Sequence, residues 1–348
     1  MNIYIPPIDF SILNKKALFI LTRPFLTNEG WGNEGLEKQQ FEVSDRFVYV
    51  GQIENASVYF IPKPINSYSR DELKKINSIC SANRIKAYGY ISGDFGTDFG
   101  FFEHILFFRM GGFKSKLSFN NKGFPVSLSD HFERIYNQTA IEVREKQNKP
   151  VIGFCGHATS SSSKRVRENI KFIRENLKRF FQKPFRKDYE PLFASAFERA
   201  KLLHYFEAST AVKTNFIYRK NYRGGAHSEE ERTKTTLEYY DNIKNLDYVL
   251  CVRGAGNFSV RLYETLMMGR IPIFVNTDCL LPFEDEIAWK NHVVWVEWKD
   301  RKAIAALLAE FHVSLSTDDF AYLQTSNRRL WKETLSVKGI LEGIEKLK

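Results

Sequence analysis

Short apolar runs alternate with stretches of helical spacing along most of the chain, which is the pattern of an α/β protein. Ser69 followed by Leu73, Ile76 and Ile79, for example, predicts an N-capped helix with one apolar face. The pattern predicts strands at 16–22, 57–63, 86–93, 151–156, 214–218, 247–252 and 271–275. It predicts helices at 69–83, 129–146, 164–181, 233–245 and 260–268, and from 302 onward with a break near 313–317. Residues 94–128 show little periodicity, so we expect a long loop segment there.

The length of the chain suits two domains. Its 348 residues are too many for one typical hydrophobic core, at roughly 150 residues per domain. Asn-Lys-Pro at 148–150 interrupts the pattern just before a new strand, and we interpret it as a linker. The sequence therefore predicts domains at 1–147 and 148–320, and helices at 321–348 that pack back on the first domain.

Composition and charge exclude only a few classes of function. Hydrophobic residues make up 43 % of the chain, enough for cores, and the formal net charge of +10 indicates an anionic partner. The basic residues along 164–187 are expected to form a solvated helix face. No apolar run approaches the ~20 residues that span a bilayer, and the amino terminus lacks the basic start of a signal peptide. The four cysteines have no metal-binding or disulfide spacing, so a cytoplasmic location is predicted.

Residues 251–275, CVRGAGNFSVRLYETLMMGRIPIFV, form a predicted strand–turn–helix–strand unit. Its glycine-rich turn opens a helix, and the free N–H groups of a helix start bind phosphates. Arg261 lies in the first helical turn, where the helix dipole disfavours a cation by ~0.3–1 kcal/mol. A diphosphate over the helix start would remove that penalty, and Arg253 would reach the same anion from the end of the preceding strand.

Two other interpretations of this unit stay open. Arg261, Glu264, Thr265 and Met268 share one helix face, which we expect to line a cleft, but Arg261 and Glu264 also have the spacing of a solvated surface pair. The Gly-Ala-Gly turn, with Asp278 after the next strand, is an incomplete dinucleotide-binding fingerprint. That second pattern would predict an NAD(P)-dependent oxidoreductase.

The wider stretch 253–289 resembles the signature of the exostosin-like, GT47-type glycosyltransferases, with weaker similarity to bacterial members elsewhere. The matching residues are Arg253, Gly254, Ser259, Arg261, Glu264, Gly269, Ile271, Pro272, Asp278, Leu281, Pro282, Phe283 and Trp289. The resemblance implies a GT-B fold, in which two Rossmann-like domains face each other across a cleft. The nucleotide-sugar donor would bind the second domain and the acceptor the first.

The resemblance also implies a chemistry. A sugar would move, with inversion and without a bound metal, from a nucleotide-sugar, typically a UDP-sugar, to a glycan or a lipid-linked oligosaccharide. Glu264 would hold the ribose hydroxyls, and Arg253, Arg261 and the backbone around Ser259 would neutralise the diphosphate. No cofactor besides the donor substrate and no nucleic-acid partner are expected, and the basic charge is compatible with a peripheral position on the inner membrane face.

Five further residues complete the predicted donor site. The turn contributes Gly254, Asn257 and Phe258 beside the helix start. His157 follows strand 151–156 and Arg219 follows strand 214–218, where loops of the second domain would line the cleft.

An inverting transferase needs a general base that takes the proton of the acceptor hydroxyl. Asp94 and Asp98 follow strand 86–93, and Glu34 follows strand 16–22, so all three are candidates on the acceptor side. Asp94 ranks first because it is the closest to a strand end. A non-catalytic polyanion-binding protein, and a family member that has lost activity, are further alternatives at this point.

Overall fold

The computed structural model describes residues 1–10, 14–220 and 222–347, and these fold into two parallel α/β units. The first sheet has the order β2-β1-β3-β4-β5-β6 and contains β1 (Asn2–Tyr4), β2 (Val48–Tyr49), β3 (Val58–Phe60), β4 (Lys86–Ile91), β5 (Ile105–Arg109) and β6 (Asn121–Gly123). The second has the order β11-β10-β9-β7-β8 and contains β7 (Val151–His157), β8 (Lys213–Arg219), β9 (Tyr248–Cys251), β10 (Ile271–Asn276) and β11 (Val294–Glu297). Within the described residues, all strand pairs of both sheets are parallel. The predicted two-domain α/β architecture of GT-B type is confirmed.

Helices cover the sheets. They are α1 (Arg70–Ala82), α2 (His131–Tyr136), α3 (Ser162–Gln182), α4 (Ser195–Glu207), α5 (Glu229–Lys244), α6 (Val260–Met267), α7 (Ile304–Ser314), α8 (Thr317–Leu330) and α9 (Val337–Lys346). Ser69 caps α1 through a reciprocal pair of bonds with Glu72, as its position before the apolar face predicts. Gly269 follows α6 with a left-handed backbone, φ +64°, which glycine adopts without steric penalty.

The strand predicted at 16–22 is absent. Ile20–Phe25 is a 3₁₀ turn, in which the Thr22 hydroxyl donates to the Phe19 carbonyl at 2.7 Å. Pro24 lies inside the turn and has no N–H for a sheet ladder. The side chains of Phe19, Leu21 and Phe25 in this segment are nevertheless buried in the core of the first sheet. The apolar run therefore predicted burial correctly and strand conformation wrongly.

Two other predicted segments differ from the structure. Residues 94–128, expected as loop, contain β5 and β6; four of the five β5 residues are buried, so β5 shows no regular alternation. The helix predicted at 129–146 ends at Tyr136, because Asn137 adopts a left-handed backbone with φ +51°. Helix α4 and strands β1, β2 and β11 also add to the predicted elements.

The chain crosses between the domains earlier than predicted. Phe132 of α2 is buried with Leu262 of α6 in a hydrophobic cluster of the second domain, and Val126 and Ile141 pack against the same cluster. The crossing therefore lies near residue 125, ahead of the boundary predicted at 147.

The carboxyl-terminal helices divide between the two cores. Phe320 of α8 is fully buried with Tyr248 of β9 in the second domain. The boundary predicted at 320 therefore falls inside a helix. Ile340 and Ile344 of α9 are buried with Ile3 and Phe25 in the core of the first sheet. The last helix thus joins the domain with which the chain began.

The carboxyl ends of the two sheets face each other. The loop after β4 places the Asp94 carbonyl oxygen against Gly256, which follows β9, so closely that a Cβ at residue 256 would lie 2.6 Å from that oxygen. The Asn257 amide donates across the same boundary to the carbonyl of Gly112 at 3.0 Å. Ligands of open α/β sheets bind at this edge, so the space between the domains is where a site is expected.

A second junction joins the loop after β4 to the segment after α3. The Asp188 carboxylate accepts the Asp98 N–H at 2.8 Å and two bonds from Arg186 at 2.7 and 2.6 Å. Arg179 reaches from α3 to the Thr97 hydroxyl at 3.0 Å. Burial raises the pKa of Asp188, but the bonds from Arg186 and from the Asp98 N–H outweigh it and hold the pKa below its ordinary value.

Asp188→Asn is expected to reduce the free energy of unfolding by about 1–3 kcal/mol near neutral pH, because Arg186 loses its charged partner. Because the native pKa is lowered, this stabilisation is fully present above the unfolded-state pKa and is lost as pH falls through the native pKa. The wild type should therefore lose it progressively as pH falls below about 4, and the variant should not. Urea unfolding near pH 7 and near pH 3 measures both effects. Asp45→Asn breaks an exposed pair with Lys38 and is the control, with little or no change in stability expected. Equal losses in the two variants would contradict the prediction.

Candidate functional site

The start of α6 lies directly after the glycine-rich turn that follows β9. Ser259 is its N-cap residue in extended conformation, yet the hydroxyl makes no capping bond. The turn is closed by the Gly254 N–H, which donates to the Phe258 carbonyl at 3.2 Å. The first N–H groups of α6 therefore have no side-chain acceptor among the described residues, as an anion site at a helix start requires.

Arg253 lies at the end of β9 with only 2 % of its surface exposed. Its guanidinium is held between the rings of Phe113 and Phe193, at 5.0 and 4.6 Å from their centroids. It donates from Nη2 to the Ala255 carbonyl at 2.8 Å, whereas its buried Nε has no partner. Burial lowers the pKa of this arginine, so the charge is present at an energetic disadvantage.

Arg261 and Arg199 lie together at the end of β7. Arg261 donates to the Cys155 carbonyl at 2.8 Å and its guanidinium covers the Phe154 ring at 4.4 Å. Arg199, from α4, donates to the His157 carbonyl at 2.6 Å and has a buried Nε without a partner. Burial, followed by the charge of Arg261, lowers the pKa of Arg199 to about 10. The motif does not include Arg199, which lies on a helix the pattern did not predict.

These three arginines have no carboxylate partner. In the described part of the chain, arginine–carboxylate ion pairs are formed by Arg23, Arg46, Arg144, Arg179, Arg186, Arg219 and Arg328. Arg199, Arg253 and Arg261 form none. Arg253 is buried, and Arg199 and Arg261 are partly buried. Arg109 and Arg270 are also buried without a carboxylate, but all their guanidinium nitrogens donate to carbonyl oxygens. Arg199 and Arg253 instead each keep a buried Nε without a partner, and such donors beside a helix start indicate a site built for an anion.

Glu264 is not half of a solvated ion pair. Its carboxylate accepts hydrogen bonds from the hydroxyls of Tyr239 and, at 3.2 Å, Tyr240, both on α5. Arg261 donates from Nε to the Tyr239 hydroxyl at 3.3 Å, so this tyrosine stands between the two charges. Burial raises the pKa of Glu264 and the bonds from the tyrosines oppose that shift. Thr265 is fully buried, so the face predicted to line a cleft is open only at Arg261 and Glu264.

The side chain of Asn257 is hydrogen-bonded within the protein. Its side-chain amide donates to the carbonyls of Gly112, Thr277 and Asp278 at 3.0, 2.9 and 2.9 Å. The Thr277 hydroxyl donates to its Oδ1. Asn257 therefore ties the turn to β10 and to the first domain, with its side-chain polar atoms already bound; the neighbouring Phe258 ring covers Gly256.

Arg219 and His157 are adjacent on β8 and β7. Arg219 donates to the Glu238 carboxylate and to the Thr235 carbonyl, both at 2.6 Å. Its predicted contact with the donor would compete with these bonds. His157 donates from Nδ1 to the Arg219 carbonyl at 3.0 Å, so Nε2 is the ring nitrogen that this bond leaves unused.

Of the three candidate bases, the structure brings only Asp94 to the domain junction with a free carboxylate. Asp94 is exposed, and its carboxylate has no hydrogen bond among the described residues. Asp98 accepts bonds from the Gly100 N–H at 3.2 Å and the Ser118 hydroxyl at 2.9 Å, so it supports its own loop. Glu34 is exposed beside β2, three strand spacings or about 14 Å from β4.

A cavity of about 360 Å³ lies beside Asp94, between the loop after β4 and the outer helix of the second domain. Its lining residues are Asn66, Ser92, Gly93, Asp94, Phe95, Thr97, Phe99, Glu175, Lys178, Arg179, Gln182 and Arg186. The lining is mainly polar, with amide, hydroxyl and charged groups and two phenylalanine rings. The amide, hydroxyl and charged groups of this lining can form hydrogen bonds with the hydroxyls of a ligand such as a sugar.

Asp278, the acid of the incomplete dinucleotide fingerprint, is hydrogen-bonded through its carboxylate to the first domain. Its carboxylate accepts the Ser115 hydroxyl at 2.6 Å and the Ser115 N–H at 3.2 Å. It has a left-handed backbone, φ +64°. These bonds oppose the ribose-binding role that an oxidoreductase would need.

Among the described residues, no group of three or more His, Cys, Asp or Glu side chains is placed to hold a metal ion. None of the described helices is long and apolar enough to cross a membrane.

The second half of the chain is similar to a known family. Residues 158–311 match the Exostosin GT47 domain. The match contains Arg199, Arg253, Arg261 and Glu264, and it confirms the resemblance seen in the sequence.

Named relatives are similar over short segments. A probable glucuronosyltransferase of Oryza sativa subsp. japonica is 33 % identical over 75 residues, which are 22 % of this chain and 18 % of that protein. A probable beta-1,4-xylosyltransferase of Arabidopsis thaliana is 35 % identical over 68 residues, 20 % of this chain and 16 % of that protein. The crystal structure of WaaG, a glycosyltransferase involved in lipopolysaccharide biosynthesis, aligns with a TM-score of 0.30 and 12 % identity over 92 % of this chain and 83 % of that one. The aligned segments thus span less than a fifth of the two curated relatives.

Proposed function

We propose that this exostosin-like protein is an inverting, metal-independent glycosyltransferase that moves a sugar from a nucleotide-sugar, a UDP-sugar by family resemblance, to a glycan or lipid-linked glycan acceptor. The observation that carries the proposal is the set of three unpaired arginines, Arg199, Arg253 and Arg261, around the start of α6. A nucleoside diphosphate supplies the charge that they lack.

The arginines would act on the leaving group. As the bond between the anomeric carbon and the diphosphate oxygen breaks, its electron pair passes to the diphosphate. Preorganised cations and helix N–H groups stabilise such developing charge better than water does, because they need no reorganisation. The two unpartnered Nε groups, on Arg199 and Arg253, are donors already desolvated for this purpose.

Glu264 would hold the nucleotide at the ribose. Its carboxylate is fixed by the Tyr239 and Tyr240 hydroxyls, and each oxygen keeps a second lone pair that a ribose hydroxyl can use. The aromatic wall formed by these tyrosines limits its movement. This arrangement supports the role that the family resemblance assigns to the residue.

Asp94 would act on the acceptor. In the proposed step, its carboxylate takes the proton of the acceptor hydroxyl, whose oxygen forms the new bond to the anomeric carbon from the face opposite the leaving diphosphate. The polar cavity beside Asp94 supports this assignment because it can hold an acceptor sugar. The Asp94 carbonyl also lies against Gly256 in the turn that leads to α6.

Glu264→Gln tests the donor site. The amide keeps the size of the side chain but loses the charge that accepts ribose hydroxyls, so the affinity for the donor nucleotide should fall about 10- to 100-fold, at 1.5–3 kcal/mol per bond to a charged group. Isothermal titration calorimetry measures the affinity, and circular dichroism melts report the fold. Glu310→Gln, an exposed change on α7, is the matched control and should bind like the wild type. An unchanged affinity in folded Glu264→Gln would contradict the assignment.

A further inference from the structure

Helix α3 presents an apolar stripe to solvent. Six of its apolar side chains recur every three or four residues and are exposed: Val166, Ile170, Ile173, Leu177, Phe180 and Phe181. Phe185 follows just beyond the helix and is 94 % exposed, and Phe181 is 82 % exposed. Side chains of this size and number along one helix face mark an interaction surface, since apolar residues that are merely tolerated on a surface occur singly.

The stripe faces outward because the opposite face of α3 is fixed. Phe172 is buried in the hydrophobic core of the second domain. Arg179 is buried as well, and it donates hydrogen bonds to the Thr97 hydroxyl and the Asp188 carbonyl. These contacts set the rotation of the helix about its axis. The apolar stripe therefore cannot turn inward without breaking the domain junction.

Most of the protein's excess positive charge lies on α3 and the few residues that follow it. Residues 164–187 contain ten lysines and arginines and only two glutamates, against a net charge of +10 for the whole chain. At 100° per residue, Arg167, Lys171, Arg174 and Lys178 form a row directly beside the stripe. Lys171 and Arg174 are exposed and form no ion pair among the described residues.

We propose that α3 and the adjoining residues 183–187, together the docking helix, bind the surface of an anionic lipid bilayer. A helix with one apolar face, bordered by lysine and arginine, lies in the membrane interface with its apolar side chains among the acyl chains and its cations at the headgroups. A second copy of this chain would oppose two strongly positive faces, which repel each other. Nucleic acid would use the cations but would leave the exposed stripe without a partner.

One consequence rests on the proposed function. The docking helix also lines the cavity beside Asp94, through Lys178, Gln182 and Arg186. A helix is about 10–12 Å across with its side chains, so docking would hold that cavity within about one helix diameter of the headgroups. Of the two acceptor classes proposed above, this position favours the lipid-linked glycan.

Vesicle flotation tests docking without any sugar transfer, so its outcome is separate from that of the proposed function. The wild type should float with phosphatidylcholine vesicles that contain about one quarter phosphatidylglycerol, and remain unbound with pure phosphatidylcholine. Phe181→Ser with Phe185→Ser should weaken partitioning at least about tenfold through loss of insertion. Lys171→Glu with Arg174→Glu should weaken it at least about tenfold through loss of headgroup attraction.

Matched changes elsewhere serve as controls. Phe119 is 77 % exposed on the first domain, and Phe119→Ser should leave partitioning within about twofold of the wild type. Lys299→Glu with Lys302→Glu makes the same change of net charge on an exposed segment and should also have little effect. Failure of the wild type to float, or an equal loss in this charge control, would overturn the proposal. So would binding of duplex DNA in place of vesicles, unaffected by the phenylalanine changes.

Discussion

Asp94→Asn is expected to reduce the rate of sugar transfer by about 10²- to 10⁴-fold while leaving the affinity for the donor nucleotide within about twofold. The amide cannot accept the proton of the acceptor hydroxyl, whereas the donor groups lie on the second domain. Asp94 is exposed with a free carboxylate, so the substitution removes no hydrogen bond among the described residues and should not alter stability. Initial rates with saturating donor, together with calorimetric binding of the nucleotide, separate the two effects.

Asp98→Asn is the matched control for Asp94, four residues away in the same loop. Its carboxylate holds the Gly100 N–H and the Ser118 hydroxyl, so the expected result is a modest loss of stability with transfer reduced less than about tenfold. If Asp98→Asn or Glu34→Gln abolished transfer and Asp94→Asn did not, the base would have to be reassigned.

Arg199→Met is expected to weaken binding of the nucleoside diphosphate about 10- to 100-fold and to leave binding of the nucleoside unchanged. A charge-assisted bond to a phosphate oxygen contributes about 1.5–3 kcal/mol, and the nucleoside has no phosphate to bind. Arg261→Met should act in the same way, and the double variant should lose more than either. Calorimetric titrations with the nucleoside diphosphate and with the nucleoside measure the difference.

Arg199→Met is expected to have the opposite effect on stability. Burial and the nearby Arg261 charge lower the pKa of Arg199, so its charged form is disfavoured without a ligand. Arg199→Met should therefore keep or raise the melting temperature while it weakens binding, which is the exchange of stability for function expected at a binding site. Arg329→Met, an exposed change on α8, is the control for both measurements. Loss of nucleoside binding to the same extent would contradict a phosphate role.

The sequence predicted the second domain better than the first, for physical reasons. Ser69 and Gly269 are local signals, because a cap or a left-handed residue acts on its own helix end. The apolar run at 16–22 carries no such signal, and the 3₁₀ turn there depends on Pro24 and on packing against distant residues. Strand β5 is buried across almost its whole length, so it lacks the alternation that would have revealed it.

The candidate site shows the same limit. The motif brought Arg253, Arg261 and Glu264 together because they lie within one strand–turn–helix unit. Arg199 joins them only through the fold, from a helix that crosses the sheet. Asn257 looked like a donor contact because of its place in the turn, yet the first domain supplies the Gly112 carbonyl that it binds. Long-range partners of this kind have no spacing that a sequence can display.

The exposed stripe on α3 illustrates a related difficulty. Its lysines and arginines predicted a solvated basic helix, and the apolar residues at the same spacing would ordinarily face a core. Only the fold shows that Phe172 and Arg179 occupy the inner face and leave Phe181 outside. The charge and the apolar stripe acquire a joint meaning once their orientation is known.

The most direct test is a calorimetric titration of the wild-type protein with UDP, GDP, CMP and NAD at moderate salt. Saturable heat is expected from a nucleoside diphosphate, lost or strongly reduced in Glu264→Gln, with no heat from NAD. Binding of NAD with no response to either nucleoside diphosphate, or no response to any of the four, would contradict the assignment of the three arginines and the start of α6 as a nucleotide-sugar site.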